Sequence, residues 1–382
     1  MIYADWAADA PICESAKAAL LRGMESCGNP SSVHVAGVSA RALIEEARAR
    51  VASLIGCDAD EIYFTSGGTE ADNIAVLGGY EYAKTVLGRS AIVTSTIEHS
   101  AVMNTVRYLD TLGADVRYVD ACERDSLGEP TGRVCVHDFL DNLDGAGLVC
   151  LMYANNETGT IQPIREVVEA AHEAGAIVFC DAVQAVGHIP INVRELGVDM
   201  LSLSGHKLGA PCGIGALYIR RGITLRPIMH GGGQERGLRS GTLPTMLIAS
   251  LGAACAEVKD NLSDENGVQK LRDYISRELL SMDGARLNGT MEYSLAGVLN
   301  ISFDGVGGEE LVNICSLRGV CISTGSACHA GEGVASEVLL AMGFDKSRAA
   351  EAVRISIGMT TSVEDAHEIV RTLRESVKLI RG

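Results

Sequence analysis

The segment IREVVEAAHEAGAIVFCD (residues 164–181) contains the two patterns that predict the fold class. Its first twelve residues place apolar side chains at helical spacing and end at Gly175, and the next six are almost continuously apolar. An amphipathic helix leading into a short apolar strand is typical of α/β proteins, whose parallel strands are buried on both faces. Six other segments are equally strand-like: EIYFTS (61–66), AIVTS (91–95), VRYV (116–119), LVCLMY (148–153), MLSLS (200–204) and GALYI (215–219). We therefore predict an α/β layered domain with a mostly parallel seven-stranded sheet.

The pattern changes after about residue 255. Three strand-like segments, VLNISF (298–303), GVCIS (319–323) and VRISIG (353–358), are separated by helical segments. We predict a large domain over residues 13–255 and a smaller α+β domain that combines residues 1–12 with residues 256–382.

Composition excludes several classes of function. The chain has 382 residues, of which 47% are hydrophobic, and a formal net charge of −17. This charge disfavours direct binding to nucleic acid, and it suits either solubility alone or a basic protein partner. No apolar run reaches the roughly 18–20 residues of a membrane-spanning helix, and the start of the chain lacks the basic region of a secretion signal. We therefore expect a cytoplasmic protein without a membrane or nucleic-acid partner.

The twelve cysteines form no C-x-x-C pair and no Cys/His cluster at zinc spacing. In a reducing cytosol most of them are expected to be small buried hydrophobic residues, so any cysteine given a chemical role needs a local reason.

The segment FTSGGTEADN (64–73) is a candidate anion site. A strand ends, two glycines follow, and Thr69 opens a helix. Free N–H groups at a helix start, with glycines that allow close approach, bind phosphate. A capped strand–helix turn without a ligand explains the same residues.

Two more strand ends carry charged residues. Asp181 closes the strand FCD, three residues before Gln184, and Lys207 follows the strand in LSLSGHKLGAP (201–211). A carboxylate there must be paired or serve a cation, although a helix N-cap is an equal alternative. A lysine in a dry pocket can form a Schiff base with a carbonyl, although a solvated loop lysine fits the spacing as well.

Taken together, an anion cradle, a strand-end aspartate and a lysine about 26 residues later suit pyridoxal phosphate. The lysine would hold its aldehyde, the carboxylate would keep its ring nitrogen protonated, and the helix start would bind its phosphate.

The chain resembles the cysteine desulfurase family of fold-type-I pyridoxal phosphate enzymes, and its relative selenocysteine lyase, over nearly its whole length. The motifs that carry the resemblance occur in the family's order: GNPSSVH (28–34), FTSGGTEADN (64–73), TIEHSAV (96–102), ANNETGTIQP (154–163), DAVQAVGHIPI (181–191), SGHKLGAPCGIGALY (204–218), GGGQERGLRSGT (231–242) and STGSACHAGEG (323–333).

The resemblance implies roles for individual residues. Lys207 would bind the cofactor aldehyde, Asp181 the ring nitrogen and Gln184 the ring hydroxyl. His99 would stack on the ring and act as a catalytic residue that shuttles protons. The residues expected at the phosphate are Gly68, Thr69, Ser204 and His206, with Thr242 reaching the phosphate of a second subunit in a homodimer. Asn156, which also lies at the cofactor, and Arg354 would hold the substrate carboxylate. For Arg354 alone, a surface arginine on an edge strand is the alternative.

Cys328 lies in a run of small residues that predicts a mobile loop over about 323–336, so its thiol could reach the cofactor and then swing outward. The resemblance implies that Cys328 takes the sulfur of L-cysteine as a persulfide, leaving L-alanine, and passes it to an acceptor protein for iron–sulfur clusters or tRNA thiolation. A chance cysteine in a loop is the alternative.

Some residues depart from the family pattern. Asp9, in AADAP (7–11), replaces a threonine, Val183 replaces Ala or Thr, and Cys212 replaces a lysine or arginine. Selenocysteine lyase or another carbon–sulfur lyase, an aminotransferase and a non-catalytic scaffold remain alternative functions.

Overall fold

The computed structural model describes residues 1–25, 28–262, 265–325 and 335–382. All seven strands predicted for the first half of the chain form one sheet. They are β2 (Ile62–Thr65), β3 (Ala91–Ser95), β4 (Asp115–Val119), β5 (Ala146–Cys150), β6 (Ile177–Asp181), β7 (Met200–Ser204) and β8 (Gly215–Ile219). Their order in the sheet is β2-β8-β7-β6-β5-β3-β4. β8 runs antiparallel to both of its neighbours, while β3 to β7 pair in parallel. The prediction of a mostly parallel seven-stranded sheet is confirmed.

Helices cover the sheet and link its strands. In the first half they are α1 (Glu14–Glu25), α2 (Val35–Ile55), α3 (Gly68–Tyr82), α4 (Ser100–Thr111), α5 (Val136–Asn142), α6 (Ile164–Glu173), α7 (Val193–Leu196) and α8 (Thr245–Asn261). In the second half they are α9 (Glu265–Leu280), α10 (Gly308–Leu317), α11 (Glu337–Ala341), α12 (Lys346–Ala350) and α13 (Val363–Arg381). Short 3₁₀ turns lie at Ala59–Glu61, Gly205–Lys207 and Glu235–Gly237, and a π turn at Ala83–Leu87.

The segment 164–181 folds as its pattern predicts. α6 buries Val167, Val168 and Ala171 on one face, and the chain turns at Gly175, whose φ of 80° is costly for other residues. Every residue of β6 is buried, because the strand lies inside the sheet and helices cover both faces.

Two smaller sheets come from the second half of the chain and the N-terminus. β12 (Ala352–Ser356), β10 (Val298–Phe303) and β9 (Ala285–Leu287) form an antiparallel sheet in that order, and β1 (Ile2–Tyr3) pairs in parallel with β11 (Val320–Cys321). β1 and β9 are too short for the sequence pattern to reveal them.

The predicted domain boundary at residue 255 stays a prediction. α8 runs across it without a break, to Asn261. Ala4 packs in a core formed by residues of the second half, but Leu295 and Leu339 pack in the core of the first half.

The chain carries its polar motifs where strands of the seven-stranded sheet end. Because β2, β3, β5, β6 and β7 point the same way, the loops after them meet at one edge of the sheet. Within the described ranges, no helix combines the length and apolar character needed to cross a bilayer.

Candidate active site

A cavity of about 260 Å³ opens at this edge of the sheet. It brings together ten residues that the sequence singled out. Nine lie at the carboxyl ends of five different strands or in the segments that follow them, and one lies on β12. The ten residues are Gly68, Thr69, His99, Asn156, Asp181, Gln184, Ser204, His206, Lys207 and Arg354.

Lys207 points into this cavity. It ends the 3₁₀ turn that follows β7, and its Nζ donates hydrogen bonds to the backbone oxygens of Ala7 (2.6 Å) and Ala8 (2.7 Å). Two carbonyls of the N-terminal segment therefore hold the amine in a partly buried position, which excludes the alternative of a solvated loop lysine.

Two buried carboxylates face the cavity. The Val183 N–H donates to Asp181 Oδ1 at 2.9 Å, and the neighbouring Asp72 on α3 is 1% exposed. Among the described residues, Asp72 Oδ1 has no hydrogen-bond partner. Burial, together with their mutual repulsion, raises the pKa of Asp72 well above its usual range, and burial also raises the pKa of Asp181. This pair favours a cation inside the cavity.

The sequence analysis missed Asp72, although it lies in the motif FTSGGTEADN. An aspartate in the second turn of a helix usually faces solvent. Only the position of α3 against β6 and β7 reveals that this one is buried.

His99 is the N-cap of α4, and its Nδ1 accepts a hydrogen bond from the Ala101 N–H at 3.2 Å. A neutral ring with Nδ1 as acceptor carries its proton on Nε2. One ligand atom of His99 lies within 4.8 Å of carboxylate oxygens of both Asp72 and Asp181.

The predicted anion cradle lies at the start of α3. A Cβ at Gly68 would come within 2.8 Å of the Val183 side chain, so a glycine is required where α3 meets the loop after β6. Thr69 and Ser204 line the cavity beside Gly68. His206 Nδ1 lies 3.1 Å from Asp9 Oδ1. Burial and the charge of Lys207 lower the pKa of His206.

Arg354 lies in the cavity wall and is 2% exposed, so the alternative of a surface arginine is wrong. β12 is the outer strand of its sheet, but bridges to Ser323 and Asp5 cover it. Arg354 Nη1 donates to the Asn156 backbone oxygen at 2.7 Å, and Nη2 donates to Asp5 Oδ1 at 2.8 Å. The Nε atom is buried without a partner in the described part of the chain.

Gln184 and Thr242 complete the predicted set that the structure describes. Gln184 is buried, and its Nε2 donates to the Ala7 oxygen at 2.9 Å. Thr242 is exposed and does not line the cavity of its own chain as far as the described residues define it. Cys328 lies outside the described residues.

A second, larger cavity of about 640 Å³ adjoins the first and shares His99 and Asn156 with it. Thr324, Ala335 and Ser336, which flank the segment that contains Cys328, line this outer cavity.

Glu98 is a further buried carboxylate that the sequence analysis did not single out. It lines the outer cavity beside His99, and its Oε1 accepts from the Met152 N–H at 3.0 Å. Burial raises the pKa of Glu98 to about 8.

The residues present fit pyridoxal phosphate. A protonated pyridine nitrogen would supply the cation that favours ionisation of Asp181 and Asp72, and the Lys207 amine lies in the same cavity, where it could react with an aldehyde. The start of α3, with Thr69 and Ser204, offers donors for a phosphate.

Comparison with known proteins agrees with this arrangement. The model of the aminotransferase class-V family matches residues 2–369. The cysteine desulfurase IscS of Methanosarcina thermophila is 38% identical over 383 residues, covering 100% of this chain and 93% of the relative. The putative cysteine desulfurase IscS 1 of Bacillus subtilis is 40% identical over 387 residues, covering 99% and 98%.

Among solved structures, a NifS-like protein superposes with a TM-score of 0.91 at 33% identity, covering 99% of each chain. These matches confirm the resemblance and the fold class that it implied, fold type I. The chain belongs to the aminotransferase class-V family, within its group of cysteine desulfurases and NifS-like proteins.

Proposed function

We propose that this protein is a cysteine desulfurase that uses pyridoxal phosphate. L-Cysteine and the Cys328 thiol would give L-alanine and a persulfide on Cys328. The C–S bond of the substrate breaks, an S–S bond forms, and the substrate carbon gains the proton that the thiol loses, so no further oxidant or reductant is needed. One observation carries this proposal: an amine, two buried carboxylates, an imidazole and a buried guanidinium line one cavity.

Lys207 would hold the cofactor by its aldehyde, Asp181 its ring nitrogen and Gln184 its ring hydroxyl. Gly68, Thr69, Ser204 and His206 would bind its phosphate. When bound, the cofactor supplies an aldehyde carbon that reacts with amines and a protonated ring that withdraws electrons from the substrate's α-carbon.

The chain's own residues would manage protons in this cavity. When the Lys207 amine is not bound to the cofactor, the carbonyls of Ala7 and Ala8 give it a defined position from which to accept a proton. His99 carries its proton on Nε2 when neutral, because Nδ1 already accepts from Ala101. A donor and an acceptor for protons are thus held at separate positions.

Arg354 and Asn156 would orient the substrate through its carboxylate. A planar guanidinium suits two carboxylate oxygens, and the ion pair with Asp5 fixes the plane of that guanidinium.

The outer cavity supports the proposed role of Cys328. Described residues on both sides of Cys328 line it, and His99 and Asn156 connect it to the inner cavity. We infer that sulfur is transferred through this opening to an acceptor protein. We also infer a homodimer, in which exposed Thr242 reaches the cofactor phosphate of the second subunit, and a cytoplasmic location.

The variant Cys328→Ser tests the proposed reaction. It should keep the visible absorbance of the bound cofactor and still change that absorbance when cysteine is added, but form at most about 1% of the normal alanine and sulfide. Cys122→Ser, which alters an exposed thiol outside both cavities, is the matched control and should keep normal turnover.

Normal alanine formation by Cys328→Ser would refute the persulfide role. Competition between L-cysteine and L-selenocysteine in the unaltered enzyme distinguishes a desulfurase from a selenocysteine lyase. A desulfurase should turn over cysteine at a rate comparable to selenocysteine.

A further inference from the structure

Asp9, His206 and Cys212 lie close together beside the inner cavity, which His206 also lines, and we propose that they form a binding site for Zn²⁺ or a similar thiophilic divalent cation. Each offers one ligand atom, and these atoms all lie within 4.8 Å of one another. A carboxylate oxygen, an imidazole nitrogen and a thiolate sulfur are the three ligand types that zinc prefers in proteins.

The spacing of the three atoms matches a zinc polyhedron. Zn–O and Zn–N distances of about 2.0 Å and a Zn–S distance of about 2.3 Å give tetrahedral edges of about 3.3 Å between N and O and about 3.5 Å between S and O. His206 Nδ1 and Asp9 Oδ1 are 3.1 Å apart, and Cys212 Sγ and Asp9 Oδ1 are 3.9 Å apart. These two edges are within about 0.4 Å of the tetrahedral values. The third edge, between the ligand atoms of His206 and Cys212, is within 4.8 Å, and rotation of the exposed Cys212 side chain would close it.

Backbone hydrogen bonds hold the two segments together without a metal ion. The Ala10 N–H donates to the His206 oxygen and the Cys13 N–H donates to the Gly209 oxygen, both at 2.9 Å. The loop that carries Cys212 is closed by a 2.9 Å bond from the Gly205 N–H to the Ile214 oxygen. The ligand atoms are therefore brought together by the fold, which lowers the entropic cost of binding.

The site is accessible and has room for a fourth ligand. The Asp9 side chain is 57% exposed and that of His206 is 28% exposed. A metal ion can enter from solvent, and water can occupy its fourth position, as in zinc sites with three protein ligands. Mg²⁺ and Ca²⁺ are disfavoured because they prefer oxygen ligands.

A second thiol cluster offers a useful contrast. Cys122 Sγ lies 3.1 Å from Cys135 Sγ and 2.8 Å from Asp138 Oδ2. Two sulfur atoms on one zinc ion lie about 3.8 Å apart, so this cluster is too tight for a metal ion without rearrangement.

Metal binding at this site would restrain the residues beside Lys207. Asp9 directly follows Ala7 and Ala8, whose backbone oxygens accept hydrogen bonds from Lys207. His206 directly precedes Lys207. A metal ion joining Asp9 to His206 and Cys212 would tie the N-terminal segment to the lysine loop. This inference does not depend on the desulfurase reaction.

The two proposed roles of His206 use different ring nitrogens: Nδ1, which faces Asp9, would bind the metal ion, and the protonated Nε2 would donate to the cofactor phosphate. Titration of the cofactor-loaded protein with Co²⁺ therefore tests the site by a readout other than turnover. Tetrahedral Co²⁺ with a thiolate ligand gives d–d absorbance bands at longer wavelengths than the cofactor, and Zn²⁺ should displace it. Cys212→Ser and Asp9→Asn should each weaken Co²⁺ binding by about tenfold or more, and Cys212→Ser should also change the bands. Both positions are exposed, and a thermal melt of each variant checks that it is folded.

Cys122→Ser is the matched control and should leave the titration unchanged. Loss of the bands in Cys122→Ser but not in Cys212→Ser would overturn the proposal. So would the absence of tetrahedral Co²⁺ bands at concentrations up to about 1 mM. Neither result bears on whether cysteine is the substrate, which the alanine assay of Cys328→Ser decides separately.

Discussion

The variant Arg354→Lys examines how the substrate is recognised. In the structure the guanidinium is buried and donates to the Asn156 oxygen and to Asp5, which fixes its plane. Lysine keeps the positive charge but offers a single nitrogen, so it cannot contact Asn156, Asp5 and both oxygens of a substrate carboxylate at once.

The expected loss of binding free energy for L-cysteine corresponds to one charge-assisted hydrogen bond. Such a bond contributes about 1.5–3 kcal/mol, and each 1.36 kcal/mol is a factor of ten. Affinity for L-cysteine should therefore fall roughly 10- to 150-fold. Because the carboxylate is held before and during the reaction, the loss should appear mainly in KM and less in kcat.

Cysteamine, which is cysteine without its carboxylate, supplies the internal reference. The absorbance change of the bound cofactor gives a dissociation constant for each amine. Arg354→Lys should weaken L-cysteine binding by the factor above and leave cysteamine binding nearly unchanged, so that the preference for cysteine disappears. Asp5→Asn, which removes the ion pair but keeps the guanidinium, should retain that preference.

Equal weakening of cysteine and cysteamine binding by Arg354→Lys would refute this reasoning. It would mean that Arg354 supports the fold of the cavity through Asp5 and Asn156 and does not contact the substrate.

Two other substitutions test the amine and a buried carboxylate. Lys207→Ala should lose the visible absorbance of the covalently held cofactor after desalting, because among the described residues no other lysine lines the inner cavity. Lys17→Ala, at an exposed lysine of α1, should keep that absorbance. Retention of the band by Lys207→Ala would contradict the assignment. Glu98→Gln tests the raised pKa of Glu98. Folding raises that pKa from 4.5 to about 8. Such a carboxyl makes its full contribution to stability below about pH 4.5 and loses it as the pH rises through about 8. At pH 7 the burial of Glu98 should lower the free energy of unfolding by on the order of 3 kcal/mol. In urea unfolding, the variant should therefore gain stability relative to the unaltered protein between pH 5 and pH 8. Glu14→Gln, at an exposed carboxylate, should show no such gain, and parallel pH profiles for Glu98→Gln and the unaltered protein would disprove the assignment.

Much of the fold could be predicted from local patterns. The seven strands of the large sheet were found because buried parallel strands are short and continuously apolar, and α6 because its apolar residues recur at helical spacing. β1 and β9 were missed because two or three residues carry no period.

The sequence by itself determined the order of the strands along the chain and the chemical groups at their ends, including Lys207 and Asp181. Only the tertiary structure decided which groups share a cavity. Asp5 and Arg354 are 349 residues apart, and Asp72, an ordinary helix residue by pattern, is buried beside Asp181. Local spacing reports on the face of one helix or strand, whereas burial and charge pairing depend on which elements pack together.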